Sequence, residues 1–245
     1  MRIGVLLVGN VRTIDACASS LKTFLSANSA DVFAGTYDLR YGYHPCVSQS
    51  TGFISDEVLS HKQISELLEP LSPIKVLIDE HSEYIKKKSS CIGKGFAKHE
   101  HASLMQFFKL QDILCQLKQH EVTMGVRYDI LVKTRCYLIY NDLSSFELTT
   151  KNSIVIDEGN VFPNDCTFFG NRDCMESIID SLVSICKTTD DRSETATTDI
   201  PHGLLSKAVK TVGANFVELP LIRGVMRWNG EVKYPPLPSR LRNVV

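Results

Sequence analysis

IGVLLVGNVRTIDACASSLKTFLSANSADVFAGTYD, residues 3–38, contains two short apolar runs separated by a segment of helical spacing. Residues 3–8 form a continuous apolar run that ends at Gly9, a pattern typical of a strand buried on both faces of a sheet. Apolar side chains recur at helical spacing through residues 14–27, and residues 31–36 have the composition of a second strand. This order predicts a βαβ unit, whose right-handed crossover makes the strands parallel and brings their carboxyl ends to one edge.

The residues that follow these two strands are candidate ligand contacts. Gly9, Asn10 and Arg12 come after the first strand, and Asp38 comes after the second. In an open α/β sheet the ligand crevice lies at the carboxyl ends of the strands, beside the N-terminus of the next helix. Arg12 is therefore placed to pair with a nucleotide phosphate, although a simple turn and a solvated helix start fit the same residues. The chain has neither the G-x-G-x-x-G nor the G-x-x-x-x-G-K-[ST] sequence, which argues against dinucleotide-binding and P-loop proteins.

The alternation of strands and helices continues and predicts a single α/β domain with a mostly parallel central sheet flanked by helices. Beyond residue 38 we predict helices in residues 56–68, 101–121, 174–186 and 202–212, and strands in residues 74–78, 128–134, 153–156, 167–169 and 215–219. The polar residues 82–98 are predicted to form a loop. We assign residues 1–233 to the domain and residues 234–245, which contain three prolines, to an extended C-terminal tail.

The composition argues against several classes of protein. With 245 residues, of which 43% are hydrophobic and 22% charged, the chain is expected to fold as one globular domain. A formal net charge of -1 provides no overall positive field for nucleic acid, and no apolar run is long enough to span a bilayer. Eight scattered cysteines without a C-x-x-C pair favour reduced thiols. We therefore expect a cytoplasmic protein with no nucleic-acid partner and no integral membrane segment.

Short motifs follow one another along the chain. Residues 2–38 combine an apolar strand, a G-x-x-R turn and an Asp-Val-Phe strand. A long amphipathic helix, a Tyr-Asp pair and an Arg-x-x-Leu sequence follow in residues 101–121, 128–129 and 135–138. Residues 165–170 then place an Asp before a Phe-containing segment that ends in glycine. In this order the motifs resemble a GT-A type glycosyltransferase-like family that occurs in bacterial polysaccharide clusters and in large DNA viruses.

The resemblance implies a GT-A-like (Rossmann-like) fold and a function. The implied enzyme is a hexosyl- or pentosyltransferase that moves a sugar from a nucleoside diphosphate to a glycan acceptor in polysaccharide biosynthesis. The expected donor contacts at the sheet edge are Gly9, Asn10, Arg12, Asp38 and Arg135. Asp165 is the candidate catalytic base that takes the proton from the acceptor hydroxyl. Arg12 and Arg135 are the groups expected to stabilise the departing diphosphate.

The chain departs from the family at Tyr137, where the family has the Asp that is expected to hold the sugar nucleotide or its metal. Asp142 is close enough in sequence to replace that carboxylate, but the chain contains no Asp-x-Asp sequence. The sequence therefore leaves open whether the protein binds Mn²⁺ or Mg²⁺, and no ligands are assigned. His202 fits either a metal ligand or an exposed residue at a helix start. The departure also leaves an alternative function open, a catalytically degenerate domain that acts as a binding or scaffold module.

Overall fold

The computed structural model describes residues 1–11, 13–40, 57–140, 152–157, 165–190, 200–219, 221–226 and 232–233. The helices are α1 (Ile14–Ala27), α2 (His61–Leu68), α3 (His81–Ser89), α4 (His101–Met124), α5 (Arg172–Thr188) and α6 (Ile200–Val212). The strands are β1 (Ile3–Val8), β2 (Asp31–Tyr37), β3 (Lys75–Asp79), β4 (Ile130–Thr134), β5 (Leu138–Tyr140), β6 (Ser153–Asp157), β7 (Phe168–Asn171), β8 (Asn215–Leu219), β9 (Ile222–Met226) and β10 (Val232–Lys233). Each helix and strand predicted from the sequence is present, with somewhat different ends.

The central sheet has seven strands in the order β3-β2-β1-β4-β7-β6-β8. Neighbouring pairs among β3, β2, β1 and β4 are parallel, and so are β6 and β8. Strand β7 is antiparallel to both of its neighbours, β4 and β6. The prediction of a mostly parallel α/β sheet flanked by helices is confirmed, and β7 is the one strand of this sheet that runs in the opposite direction.

A second, antiparallel sheet of three strands, in the order β10-β9-β5, was not predicted. Strand β5 has three residues and β10 has two. Both strands are too short for a period in hydrophobicity to be recognised in the sequence.

Both faces of the central sheet are covered by helices. On one face, Leu6 and Val8 belong to an apolar core that includes residues of α4, α5 and α6. On the other face, Val5 and Leu7 belong to a core that includes residues of α1 and α2. Because successive side chains of a strand point to opposite faces, a strand covered on both sides needs apolar residues at every position. This requirement explains the continuous apolar run of β1.

The loop predicted for residues 82–98 is wrong in its first half, where the chain forms α3. Tyr84 is buried in the core and its hydroxyl donates a hydrogen bond to Asp112 Oδ2 at 2.7 Å. Lys88 Nζ lies 3.0 Å from Asp112 Oδ1. The last turn of α3 also carries three lysines, which interact favourably with the carboxyl end of a helix. Tertiary contacts of this kind are not visible as periodicity, so the polar composition was misleading.

Some predictions fall on residues that the structure does not describe. These are the C-terminal tail, residues 234–245, as well as Arg12 and Asp142. Within the described ranges the cysteines are free thiols. None of the helices described above is long and apolar enough to cross a membrane.

Candidate functional site

Those predicted site residues that the structure describes lie at the carboxyl edge of the parallel strands. Gly9 and Asn10 follow β1, Asp38 follows β2, and Arg135 follows β4, and these three strands are adjacent in the sheet. Asp165 precedes β7, and the reversed direction of β7 pairs its first residue, Phe168, with Lys133 near the end of β4. The antiparallel strand therefore delivers Asp165 to the same edge as Arg135.

The chain leaves β1 through a backbone conformation that favours glycine. Gly9 has φ +116° and its amide donates a hydrogen bond to the carbonyl of Gly35 in β2, at 3.1 Å. Asn10, next in the chain, is half-buried. The structure thus places Gly9 and Asn10 at the predicted edge, while their contact with a ligand stays a prediction.

Arg135, Asp165 and His202 form a chain of polar contacts at this edge. Arg135 Nη2 donates to Asp165 Oδ2 at 2.5 Å, and His202 Nε2 lies 3.0 Å from Asp165 Oδ1. The Asp165 side chain is 4% exposed, whereas the side chains of Arg135 and His202 are 19% and 20% exposed. The carboxylate is therefore held from both sides by groups that lie nearer to solvent. We call these three residues, with Gln106, Lys133 and Tyr137, the edge cluster.

Gln106 and Tyr137 complete the environment of the Arg135 guanidinium. Nη2 also donates to Gln106 Oε1 at 2.5 Å, and Nη1 donates to the Tyr137 hydroxyl. The guanidinium carbon lies 5.6 Å from the centre of the Tyr137 ring. With both terminal nitrogens bound, the orientation of Arg135 is fixed before any ligand arrives.

Lys133 lies behind Arg135, at a fully buried position of β4. Its Nζ donates to the Asp165 carbonyl, to the Cys166 carbonyl at 3.2 Å and to Gln106 Oε1 at 3.4 Å. Burial, and after it the charge of Arg135, lower the pKa of this ammonium group to about 7. A second group that can carry a positive charge thus lies beside Arg135.

The charges of the edge cluster also set the pKa of Asp165. Burial acts to raise the pKa of this carboxyl, but Arg135, the hydrogen bond with His202 and the charge of Lys133 together hold it well below its usual value. Conversely, burial acts to lower the pKa of Arg135, and Asp165 raises it well above its usual value. A carboxylate with so low a pKa is a weak proton acceptor. The role of catalytic base therefore stays a prediction for Asp165.

Asp38 is engaged in a structural contact two strands away from β4. Its Oδ1 accepts a hydrogen bond from the His81 amide at 2.8 Å, at the start of α3. Its backbone amide donates to the Asp79 carbonyl at 3.0 Å. The carboxylate thereby caps the N-terminus of α3, where negative charge is favourable. The predicted donor contact of Asp38 stays a prediction.

Lys133, Gln106 and Tyr137 were not predicted to be ligand contacts. The available signals were weak. Lys133 is a charged residue inside the apolar run of β4, and charged residues are seldom fully buried without a partner. Gln106 lies between two buried residues of α4, Met105 and Phe107.

The described residues fit a divalent cation poorly. Mg²⁺ and Mn²⁺ need several oxygen or nitrogen ligands. Nowhere in the described ranges do three His, Cys, Asp or Glu side chains come together. Asp165 and His202 contact each other, and Arg135 binds the second carboxylate oxygen. Lys133 and Arg135 would moreover repel a cation at this position.

A cavity of about 450 Å³ lies elsewhere, between β3, α3 and α4. Its lining mixes acidic and basic side chains, among them Glu83, Lys87 and Asp112, and includes no residue of the edge cluster. Beside it, the buried ammonium of Lys109 pairs with Asp79, which also lines the cavity, so the lysine charge is already compensated. The edge cluster, and not this cavity, is the candidate functional site.

Comparison with known proteins gives structural similarity only. No family model matches the chain, and no curated protein matches it. The chain is similar to the crystal structure of a glycosyltransferase involved in the glycosylation of the major capsid of PBCV-1, with a TM-score of 0.44 and 10% sequence identity over 89% of this chain and 82% of that chain.

It is also similar to the glycosyltransferase GlyE of Streptococcus pneumoniae TIGR4, with a TM-score of 0.43 and 12% identity over 89% of this chain and 46% of that chain. The chain thus spans about half the length of GlyE. These two structures are glycosyltransferases, one from a large DNA virus and one from a bacterium.

Proposed function

We propose that this chain is a glycosyltransferase that moves a sugar from a nucleoside diphosphate to a glycan acceptor. The observation that carries the proposal is the oriented guanidinium of Arg135 at the carboxyl edge of the sheet. Arg135 is bound by Asp165, Gln106 and Tyr137 and still has part of its side chain exposed. Ligands of open α/β sheets bind at this edge, which is where the sequence predicts the donor.

Arg135 has the chemistry that the departure of a nucleoside diphosphate requires. Negative charge develops on the diphosphate as the bond to the sugar breaks, and a cation fixed in advance stabilises that charge without reorganising. Guanidinium groups bind phosphate oxygens through paired N–H donors. Gly9 and Asn10 leave β1 at the same edge, beside β4, and we assign them to the donor site.

We assign the acceptance of the proton to Asp165 and His202 acting as a pair. Asp165 is almost completely buried and has a low pKa, so it is poorly placed to meet an acceptor hydroxyl by itself. His202 is the more exposed member and lies 3.0 Å from the carboxylate. A carboxylate that orients a histidine and stabilises its charged form is a common arrangement for proton transfer.

The proposed classes of donor and acceptor follow from the resemblance of the motifs to the glycosyltransferase-like family. We include in the same proposal that the transferred group is a hexose or a pentose and that the enzyme acts in polysaccharide biosynthesis in the cytoplasm. Tyr137 favours the second candidate function, a scaffold module, because it replaces an expected carboxylate. Its hydroxyl nevertheless binds Arg135, so this tyrosine has a place in the proposed site.

A thermal-shift panel tests the proposal. The probes are nucleoside diphosphates and their sugars, each with and without Mn²⁺. A ligand that binds only the folded protein raises the melting temperature, so we expect a shift that depends on the base of the nucleotide. The absence of a shift with every probe would favour the scaffold module over the transferase.

A further inference from the structure

We propose that the site holds the diphosphate of the donor with the charges of Arg135 and Lys133 and needs no divalent cation. The inference rests on the proposed function, since it concerns how the same site binds the same donor. Its structural basis is the balance of charges in the edge cluster and the engagement of those potential metal ligands that the structure describes.

The edge cluster has more positive than negative groups. Among the residues that the structure describes, Asp165 is the one carboxylate in contact with either Arg135 or Lys133. Arg135 is charged at any ordinary pH, and Lys133, with a pKa of about 7, carries a proton in a large fraction of molecules at neutral pH. Buried charge without a counter-charge is unfavourable. An anionic ligand would supply the missing negative charge.

The two cations differ in their access to a ligand. Arg135 is partly exposed and is the group that would contact the diphosphate. Lys133 is fully buried and donates its hydrogen bonds to the carbonyls of Asp165 and Cys166 and to Gln106. Lys133 therefore acts through its field and through the residues that it positions, and not by contact.

Tyr137 binds Arg135 without neutralising its charge. Its neutral hydroxyl accepts a hydrogen bond from Arg135 Nη1. A carboxylate at this position would neutralise Arg135 and bring a second ligand for a cation to the cluster. The tyrosine keeps the orientation of the guanidinium and leaves its charge available to an anion.

The test is a calorimetric titration with the nucleoside diphosphate that gives the largest thermal shift, in excess chelator and in Mn²⁺. We expect dissociation constants that agree within about threefold in the two buffers. Binding that requires Mn²⁺ would overturn this inference and leave the proposed function intact. Absence of binding in both buffers would overturn the proposed function and the inference with it.

Gln106→Glu provides a second, independent arm. This change keeps the size of the side chain and adds a carboxylate whose oxygen would lie where Gln106 Oε1 now accepts from Arg135 at 2.5 Å. We expect the affinity in chelator to fall by about tenfold or more, because the added charge competes with the diphosphate.

Gln119→Glu, an exposed change on the same helix, is the matched control and is expected to bind like the wild type. Circular dichroism is used to check that both variants fold. Unchanged affinity of Gln106→Glu in chelator would overturn the inference.

Discussion

Lys133 is a charged side chain at a fully buried position of a central strand. Its pKa is lowered to about 7, mainly by burial, whereas a lysine in an unfolded chain titrates at about 10.4. Between these values the unfolded chain holds a proton that the folded chain has lost, so the fold becomes more stable as the pH rises. From this residue we expect about 1 kcal/mol of added stability per pH unit in that window.

Lys133→Met tests this expectation, because it removes the titrating group and keeps most of the buried volume. The measurement is urea unfolding of wild type and variant at several values from about pH 7 to about pH 9. The variant should lose the rise in stability that the wild type shows, and the exposed change Lys22→Met should keep it. Equal slopes for wild type and Lys133→Met would show that another group titrates.

Single residues of the site differ in how well the sequence reveals them. Gly9 and Asn10 could be selected because they follow a predicted strand, and Arg135 and Asp165 because their motifs resemble those of a glycosyltransferase-like family. Gln106 could not be selected, because it belongs to a distant helix and only the packing of α4 on the sheet brings it to Arg135. Sequence periodicity locates the buried face of a helix and does not show which polar group that face presents to another element.

At the level of elements, Asp38 connects the end of β2 to the start of α3. Asp38→Ala removes the oxygen that accepts from the His81 amide and is expected to lower the free energy of unfolding by about 1 kcal/mol. Asp38→Asn keeps an acceptor oxygen and should lower it less. Urea unfolding of the two variants measures the difference. Unchanged stability in Asp38→Ala, together with weaker nucleotide binding, would contradict the capping role and support the predicted donor contact.

Elements with a strong period were predicted well, and those that depend on distant contacts were not. The apolar run of β1 and the stripe of α4 both reflect burial that the sequence displays directly. Helix α3 has few apolar residues and is held by Tyr84, Lys88 and their contacts with Asp112 on α4. The reversed direction of β7 was also not predicted, since a strand of four residues carries no information about the direction of its neighbours.

In the whole molecule, the order of the strands determines which loops meet. The first four strands follow the parallel βα pattern that the sequence predicts. Strand β7 then lies between β4 and β6 and pairs with both. That pairing brings Asp165 to Arg135 and, with α6, brings His202 to Asp165. The sequence predicts that the site lies at the carboxyl edge. The edge cluster itself depends on the pairing of β7 with β4, which could not be predicted from the sequence of either strand.

In the proposed function, this edge binds the diphosphate of a nucleotide through Arg135. The most direct measurement is a calorimetric titration of wild type, Arg135→Ala and Arg127→Ala with the nucleoside diphosphate found by thermal shift. Arg127 lies just before β4, at the opposite edge of the sheet, and forms an exposed ion pair with Asp173, so its variant is the matched control. Arg135→Lys, which keeps the charge without the paired donors, covers the case in which Arg135→Ala does not fold.

We expect wild type and Arg127→Ala to bind with the same affinity, Arg135→Lys to lose about tenfold and Arg135→Ala to lose about a hundredfold. Wild-type affinity in a folded Arg135→Ala variant would contradict the proposed role of Arg135, because the nucleotide would then bind at another place.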